Sequence, residues 1–304
     1  MFKTFLPIIQ KETYEPELGA HVVSPNADRM QYAVDGQSVA WVIETDKIEK
    51  LDEGGSVFLD WSLYDKQYEH IRYFPTWIQV KYSPEWMRSI KDKRCSAPFV
   101  QYWEHFADMT VKVLDRYKPF AVEIWNEPEI RPDAVDDFWS NIYGCWWSGR
   151  EFGLFLDAIY PRIKEAHPFV TFMGGALMLE SDYHYEFAEQ MSRYGQFDVL
   201  SFHAYPGFGQ KNYDEPLRKA EKLMQFTDKR LWLSETAYRT REWYANFEQE
   251  KKEYLAYLWK YALDYRIHMI MWYTLANNNW DFTDLVLKSI KNPAWYLFRD
   301  LTKP

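Results

Sequence analysis

A closed barrel of eight parallel strands, each followed by a helix, is the fold class this sequence predicts. Three observations predict it. Strand-like and helical stretches alternate eight times along 304 residues, the pattern of a parallel sheet covered by helices. A chain of that length holds eight such units in one barrel. No composition break marks a linker, so residues 1–304 read as one domain. A doubly wound open sheet is the alternative, but no G-x-G-x-x-G follows the first strand.

The elements follow in order. Residues 18–23 (LGAHVV) read as a short buried strand, and Asn26 caps a helix over 27–34 that Gly36 ends. Strand two is 39–44 (VAWVIE), followed by a turn-rich break at 52–55. Leu63, Tyr64, Tyr68 and Ile71 fall near helical spacing within 61–73. Strand three is 76–82 (TWIQVKY), stopped by Ser83 and Pro84. Residues 99–117 form an amphipathic helix, with Trp103, Phe106, Val111, Val113 and Leu114 on one side. Pro119 separates it from strand four. A long loop, 129–149, holds Trp139, Tyr143, Trp146 and Trp147; loops of this length are usually functional or disordered, and the tryptophans argue against disorder. Helix 150–166, strand 170–177 (VTFMGGAL), helix 183–194 and strand 198–205 (DVLSFHAY) come next. Helix 217–226, strand 231–235 (LWLSE), helix 248–265, strand 268–274 (HMIMWYT) and a closing helix at 293–301 complete the pattern.

The bulk properties narrow the partners. A hydrophobic share of 47% with 27% charged residues describes a globular chain rather than a disordered one. The net charge of −9 disfavours a nucleic-acid backbone or an anionic membrane. No run of about 18 apolar residues exists to span a bilayer. The opening MFKTFLPIIQ makes a poor signal peptide, so a cytoplasmic location is expected. Cys95 and Cys145 form no C-x-x-C and are expected to be unpaired thiols. Fifteen Trp, 23 Tyr and 20 Phe exceed what packing usually demands. Flat rings set among polar groups suit the C–H faces of sugars, although large proteins bury many aromatics anyway.

The stretch around which chemistry gathers is 120–130, FAVEIWNEPEI. Val122, Ile124 and Trp125 are strand formers, and Pro128 stops the strand. Glu127 is thereby a carboxylate at the carboxyl end of a buried strand, where burial is costly unless it is paired or protonated. Most loop glutamates simply cap or pair locally, so a second carboxylate in an equivalent place is needed. Glu235 ends strand seven. On strand six Ser201, His203 and Tyr205 share a face that points inward, while Leu200, Phe202 and Ala204 face the helices. A lone inward His is usually a satisfied core residue, but His203 and Tyr205 stand beside a strand-end glutamate. On strand seven Leu231, Leu233 and Glu235 share a face by the same alternation.

Two carboxylates at different strand ends of one barrel are what glycoside hydrolysis requires: one donates a proton, and the other attacks the anomeric carbon when the gap is ~5–5.5 Å. Such a site would be completed by Tyr205 holding the nucleophile ionised, Asn126 bonding a sugar 2-hydroxyl and Trp272 flooring the sugar, roles that the sequence does not show by itself. Glu123, mid-strand, is expected to have a buried structural partner, and Glu129 to be a solvated loop residue. Tyr238 and Trp243 either line outer sugar subsites or pack on the surface, and NNNW at 277–280 is either a turn-rich loop or a substrate contact.

At this level the sequence resembles the clan A retaining glycoside hydrolases, (β/α)8 enzymes, and is most similar to families 39 and 5. WNEP at 125–128 resembles their strand-four motif, whose Glu is the acid/base. LSE at 233–235 resembles the strand-seven motif, whose Glu is the nucleophile, and SFHAY at 201–205 the strand-six H-x-Y. YSPEW at 82–86, PRIKEAHPFVTFMGG at 161–175 and NPAWYLF at 292–298 extend the likeness over most of the chain. The resemblance implies Glu127 as acid/base, Glu235 as nucleophile, and Trp125, Asn126, His203, Tyr205 and Trp272 as substrate contacts. It implies a carbohydrate substrate, with no metal or other cofactor. One departure stands out: the family often has an arginine on strand two, where this chain has Ile43. That absence supports a second reading, a catalytically silent barrel that binds a saccharide. A third, a metal-dependent barrel hydrolase, lacks any H-x-H or His-rich cluster among seven histidines.

Overall fold

The computed structural model describes residues 15–22, 24–134, 143–206, 212–239, 245–276, 285–287 and 290–303. Trp139, Trp243 and the stretch 277–280 lie outside them. Eight parallel strands form the barrel: β1 Glu17–His21, β2 Ser38–Glu44, β3 Thr76–Lys81, β4 Ala121–Ile124, β5 Thr171–Leu177, β6 Val199–Ala204, β7 Arg230–Thr236 and β8 Ile267–Trp272. Each pairs with the next, and β1 pairs with β8 to close the ring. Each is followed by a helix: α1 Ala27–Met30, α2 Ser62–Ile71, α3 Trp103–Tyr117, α4 Gly149–Ala166, α5 Asp182–Tyr194, α6 Glu215–Leu223, α7 Ala245–Tyr261 and α8 Pro293–Leu301. The expected fold class is the observed one.

Strand alternation divides the core in two. Ala40, Trp77, Ala121, Met173, Val199, Trp232, Met269 and Met271 fill the barrel interior. Trp77 and Trp232 stack there at 5.8 Å, a pair adding ~0.5–1.5 kcal/mol beyond its burial. The other set, including Ile78, Val80, Val122, Ile124, Leu200 and Phe202, packs on the helices. Local signals set the helix ends. Ser148, Ser181 and Asn292 cap α4, α5 and α8 by accepting from Glu151, His184 and Trp295 backbone N–H groups. The helix α3 ends at Lys118, left-handed at φ 48°, just before Pro119.

Three local expectations change. The helix expected over 27–34 is the single turn α1, because the Val34 N–H donates to the Gln37 side chain instead of continuing a helix. The break at 52–55 is the turn of a small hairpin, Glu49–Leu51 with Val57–Leu59, in which Asp52 Oδ1 accepts from the Gly54 and Ser56 N–H groups. The stretch from 99 opens as a 3-10 turn, Val100–Tyr102, before α3 begins.

Cys95 and Cys145 are joined in a disulfide, which overturns the expectation of two unpaired thiols. Distance along the chain misleads here. The loops after β3 and β4 run side by side at one rim, and the Cys145 N–H donates to the Cys95 carbonyl at 2.9 Å. Among the described residues no helix is long and apolar enough to cross a membrane.

Candidate active site

The carboxyl ends of the strands bring the two glutamates to one nitrogen. His203 Nδ1 lies 2.9 Å from Glu127 Oε1 and 3.7 Å from Glu235 Oε2. The sum of those distances is the greatest separation these two oxygens can have. It falls at the narrow end of the ~6.5–9.5 Å range of inverting pairs and admits the ~5–5.5 Å of retaining pairs. The Tyr205 hydroxyl donates a short hydrogen bond to Glu235 Oε2. Asn126 Oδ1 accepts from Gln79 Nε2 at 3.1 Å, and the same nitrogen donates to Glu123 Oε2 at 2.9 Å. Glu123 thus has the buried partner expected of it.

Backbone irregularities aim these groups. On β6 the simple alternation holds: Val199 lies in the interior, Ser201 and His203 follow it, and Leu200 and Phe202 face outward. On β7 it does not. Leu231 and Leu233 face the helices and Trp232 the interior, so the shared face expected for Leu231, Leu233 and Glu235 is wrong. A register shift corrects the aim of Glu235: Phe202 pairs with Leu233, but His203 pairs with Glu235. The extra residue, Ser234, turns Glu235 back to the interior, as β-bulges beside sites do. A second irregularity lies on β5. Gly175 has φ 126°, and a Cβ there would meet the Ser201 carbonyl at 2.6 Å. The next carbonyl, of Ala176, accepts the Glu127 N–H at 3.0 Å.

Trp125 and Trp272 are not placed to touch a substrate. Trp125 has φ 73°, so both it and Ile124 turn to the helix side. Its ring packs against Phe106, Trp146 and Phe155, fully buried. Trp272 follows Ile270 on the outer face and packs on Tyr254 of α7 at 6.0 Å. The inward ring is that of Tyr273, 6.2 Å from Tyr205 and 5.4 Å from His21. Tyr238 is fully buried against Tyr213 and Tyr254, neither an outer subsite nor a surface residue. Ile43 also faces the helices, so its identity says nothing about charge at the rim.

Burial governs the charges. It pushes the Glu127 carboxyl up to about 7, against the pull of Lys81, Arg239 and Lys219. It raises Glu235 too, with His203 and the Tyr205 hydroxyl pulling the other way and Glu127 reinforcing the rise. Two close carboxylates resist ionising together, so the pair retains a proton toward neutral pH. Burial depresses His203, and holds His21 at about 3. His21 Nε2 lies 2.8 Å from the Ser234 carbonyl, where a neutral ring donates.

Glu129 is a correction. It is fully buried rather than solvated, and its Oε1 accepts from the Met178 and Leu179 N–H groups. It straps the loop after β4 to the loop after β5. Burial, reinforced by Glu127, pushes its carboxyl to about 8. A folded-state value above the ordinary 4.5 means that its contribution to stability is full below that pH and is lost as pH rises through about 8. The melting temperature is therefore expected to fall across that window, with E129Q flattening part of the fall. An identical pH dependence in E129Q would contradict this account of Glu129.

Several residues here escape motif reading. Gln79 and Lys81 were accessible from the alternation of TWIQVKY, which sets both on the inner face with Trp77. Lys219 had no local signal. It lies on α6, yet its ammonium donates to the Met178 carbonyl at 2.7 Å and the His203 carbonyl at 3.3 Å. Among the described residues no group of three or more His, Cys, Asp or Glu side chains is arranged to hold a metal ion.

No protein-family model and no curated protein matches the sequence. Solved structures do match. A monomeric β-xylosidase from Caulobacter crescentus CB15 superposes with a TM-score of 0.70 at 17% identity, over 95% of this chain and 69% of that one. The GH39 enzyme from Xanthomonas axonopodis pv. citri gives 0.70 at 16% identity, over 94% and 66%. An exo-β-1,4-mannosidase from Opitutaceae bacterium strain TAV5 gives 0.66 at 12%, over 94% and 59%. The chain has the (β/α)8 barrel fold of these glycoside hydrolases.

Proposed function

We propose that the protein is a retaining β-glycosidase that hydrolyses the O-glycosidic bond of a β-linked saccharide or glycoside by double displacement. The observation that carries this reading is the meeting of two strand-end carboxylates, buried Glu127 and largely buried Glu235, at His203 Nδ1. Glu127, protonated up to about pH 7, gives its proton to the glycosidic oxygen as Glu235 attacks the anomeric carbon. Glu127 then takes a proton from water, whose oxygen displaces Glu235 and releases the sugar. Tyr205 donates to Glu235 and favours its ionised form. His203 orients Glu127 through Nδ1. Asn126, held by Gln79, bonds the sugar 2-hydroxyl, and Tyr273 rather than Trp272 faces the ring.

The names of two structural neighbours, a β-xylosidase and an exo-β-1,4-mannosidase, support a β-linked sugar substrate. The Cys95–Cys145 bond favours an oxidising compartment and weighs against the cytoplasmic expectation. A panel of aryl β-xyloside, β-mannoside and β-glucoside, with xylan, mannan and β-glucan fragments, tests the reading. Hydrolysis of at least one with retained anomeric configuration is expected. Saccharide binding without hydrolysis would instead make the protein a silent binding barrel.

A further inference from the structure

The rim concentrates carboxyl groups. Glu123, Glu127 and Glu129 are buried and Glu235 is nearly so. An ionised carboxylate in such a place needs a compensating charge. The histidines do not supply it, because burial keeps His21 and His203 neutral. Lys219, from α6, is engaged by Glu180 at 2.7 Å and Glu215 at 3.4 Å. Arg94 is tied to Asp46 and Glu44. Arg239, just past β7, stacks its guanidinium on the Tyr205 ring at 4.6 Å.

Lys81 is different. It closes β3 on the same face as Gln79, two residues earlier, which reaches Glu123 and Asn126. Alternation therefore sends Lys81 inward, one level nearer the mouth. Its ammonium lies 4.8 Å from the centre of the Tyr82 ring. Among the described residues it forms no ion pair within 4 Å.

We propose that Lys81 is a positioning residue whose ammonium sets the protonation of the Glu127–Glu235 pair. The proposal rests on reading those two carboxylates as the working pair. Its reach is visible in the groups around it. Lys81 lowers both Glu127 and Glu235, and it is the foremost charge pulling Glu127 down. It also lowers Glu44 on β2, although Glu44 is already held by Lys47 and Arg94. It depresses His21 on β1 and His203 on β6. Opposing it at Glu127 is Glu180, and at Glu235 the charge of Glu127 itself. Tyr205, which burial keeps a neutral phenol, and Tyr273 beside it complete the facing groups.

The test compares wild type, Lys81→Met and Lys81→Arg, with circular dichroism to confirm that each is folded. Carbon-13 NMR follows glutamate carboxyl titrations in the unliganded protein, with Glu127 and Glu235 assigned from E127Q and E235Q. Lys81→Met is expected to raise both titrations by about one pH unit, and Lys81→Arg to restore them. Both limbs of the pH profile of kcat/KM on an aryl β-glycoside should move up with them. Unmoved titrations in Lys81→Met would overturn the proposal, as would a raised KM with unmoved limbs, which marks a substrate contact. The carboxyl titrations need no turnover. Absence of any glycosidase activity would therefore refute the functional reading and still leave the charge of Lys81 measured.

Discussion

Glu235→Ala is expected to lower turnover by on the order of 10^5-fold, the scale of losing a covalent nucleophile. Sodium azide is then expected to restore product formation, as a glycosyl azide of inverted configuration. The geometry dictates the stereochemistry. Removal of the carboxylate opens space at the end of β7, beside His203 and Tyr205. A small anion there attacks the anomeric carbon from the face Glu235 would have used. Glu127 still protonates the leaving oxygen, so one displacement replaces two. Full activity in E235A, or an azide product of retained configuration, would contradict the assignment.

Glu127→Ala is expected to behave differently. Substrates with poor leaving groups should lose about 10²–10⁴-fold, the usual worth of a positioned general acid. Aryl glycosides whose phenol leaves without a proton should be largely spared in the first step. Azide should accelerate this variant as well, but with retention, because it would attack the glycosyl-enzyme already formed on Glu235. The pH profile gives the same information. A general acid works only while protonated, and burial raises Glu127 to about 7. Wild-type kcat/KM should fall above that pH, and E127A should lose the alkaline limb.

The barrel was legible because each βα unit carries its own periodicity and stop signals. Proline after WNE, Ser83 and Pro84 after strand three, and Pro206 after strand six mark strand ends without reference to the rest of the chain. Strand-six alternation correctly placed His203, because β6 runs regularly from Val199 to that residue. The same rule misjudged Leu231 and Leu233, since it has no way to register a bulge at Ser234. Trp125 and Trp272 were misread for a related reason. Aromatic residues at strand ends serve either the sugar or the helix layer, and a left-handed φ at Trp125 turns its ring outward. Glu129 looked solvated because a proline precedes it. What buries it is the backbone of Met178 and Leu179, remote in sequence. The disulfide and Lys219 are likewise products of tertiary proximity between loops and helices.

The central claim is that Glu235 becomes covalently bonded to the sugar while Glu127 manages the proton. Incubation with an activated 2-deoxy-2-fluoro β-glycoside of the preferred sugar, followed by proteolysis and mass spectrometry, tests it most directly. Fluorine at C2 slows both steps by destabilising the positive charge at C1, so an intermediate that exists accumulates. One added fluorosugar is expected, on the peptide containing Glu235 and absent from E235A. A label on any other residue, or undiminished turnover with no label at all, would contradict the account.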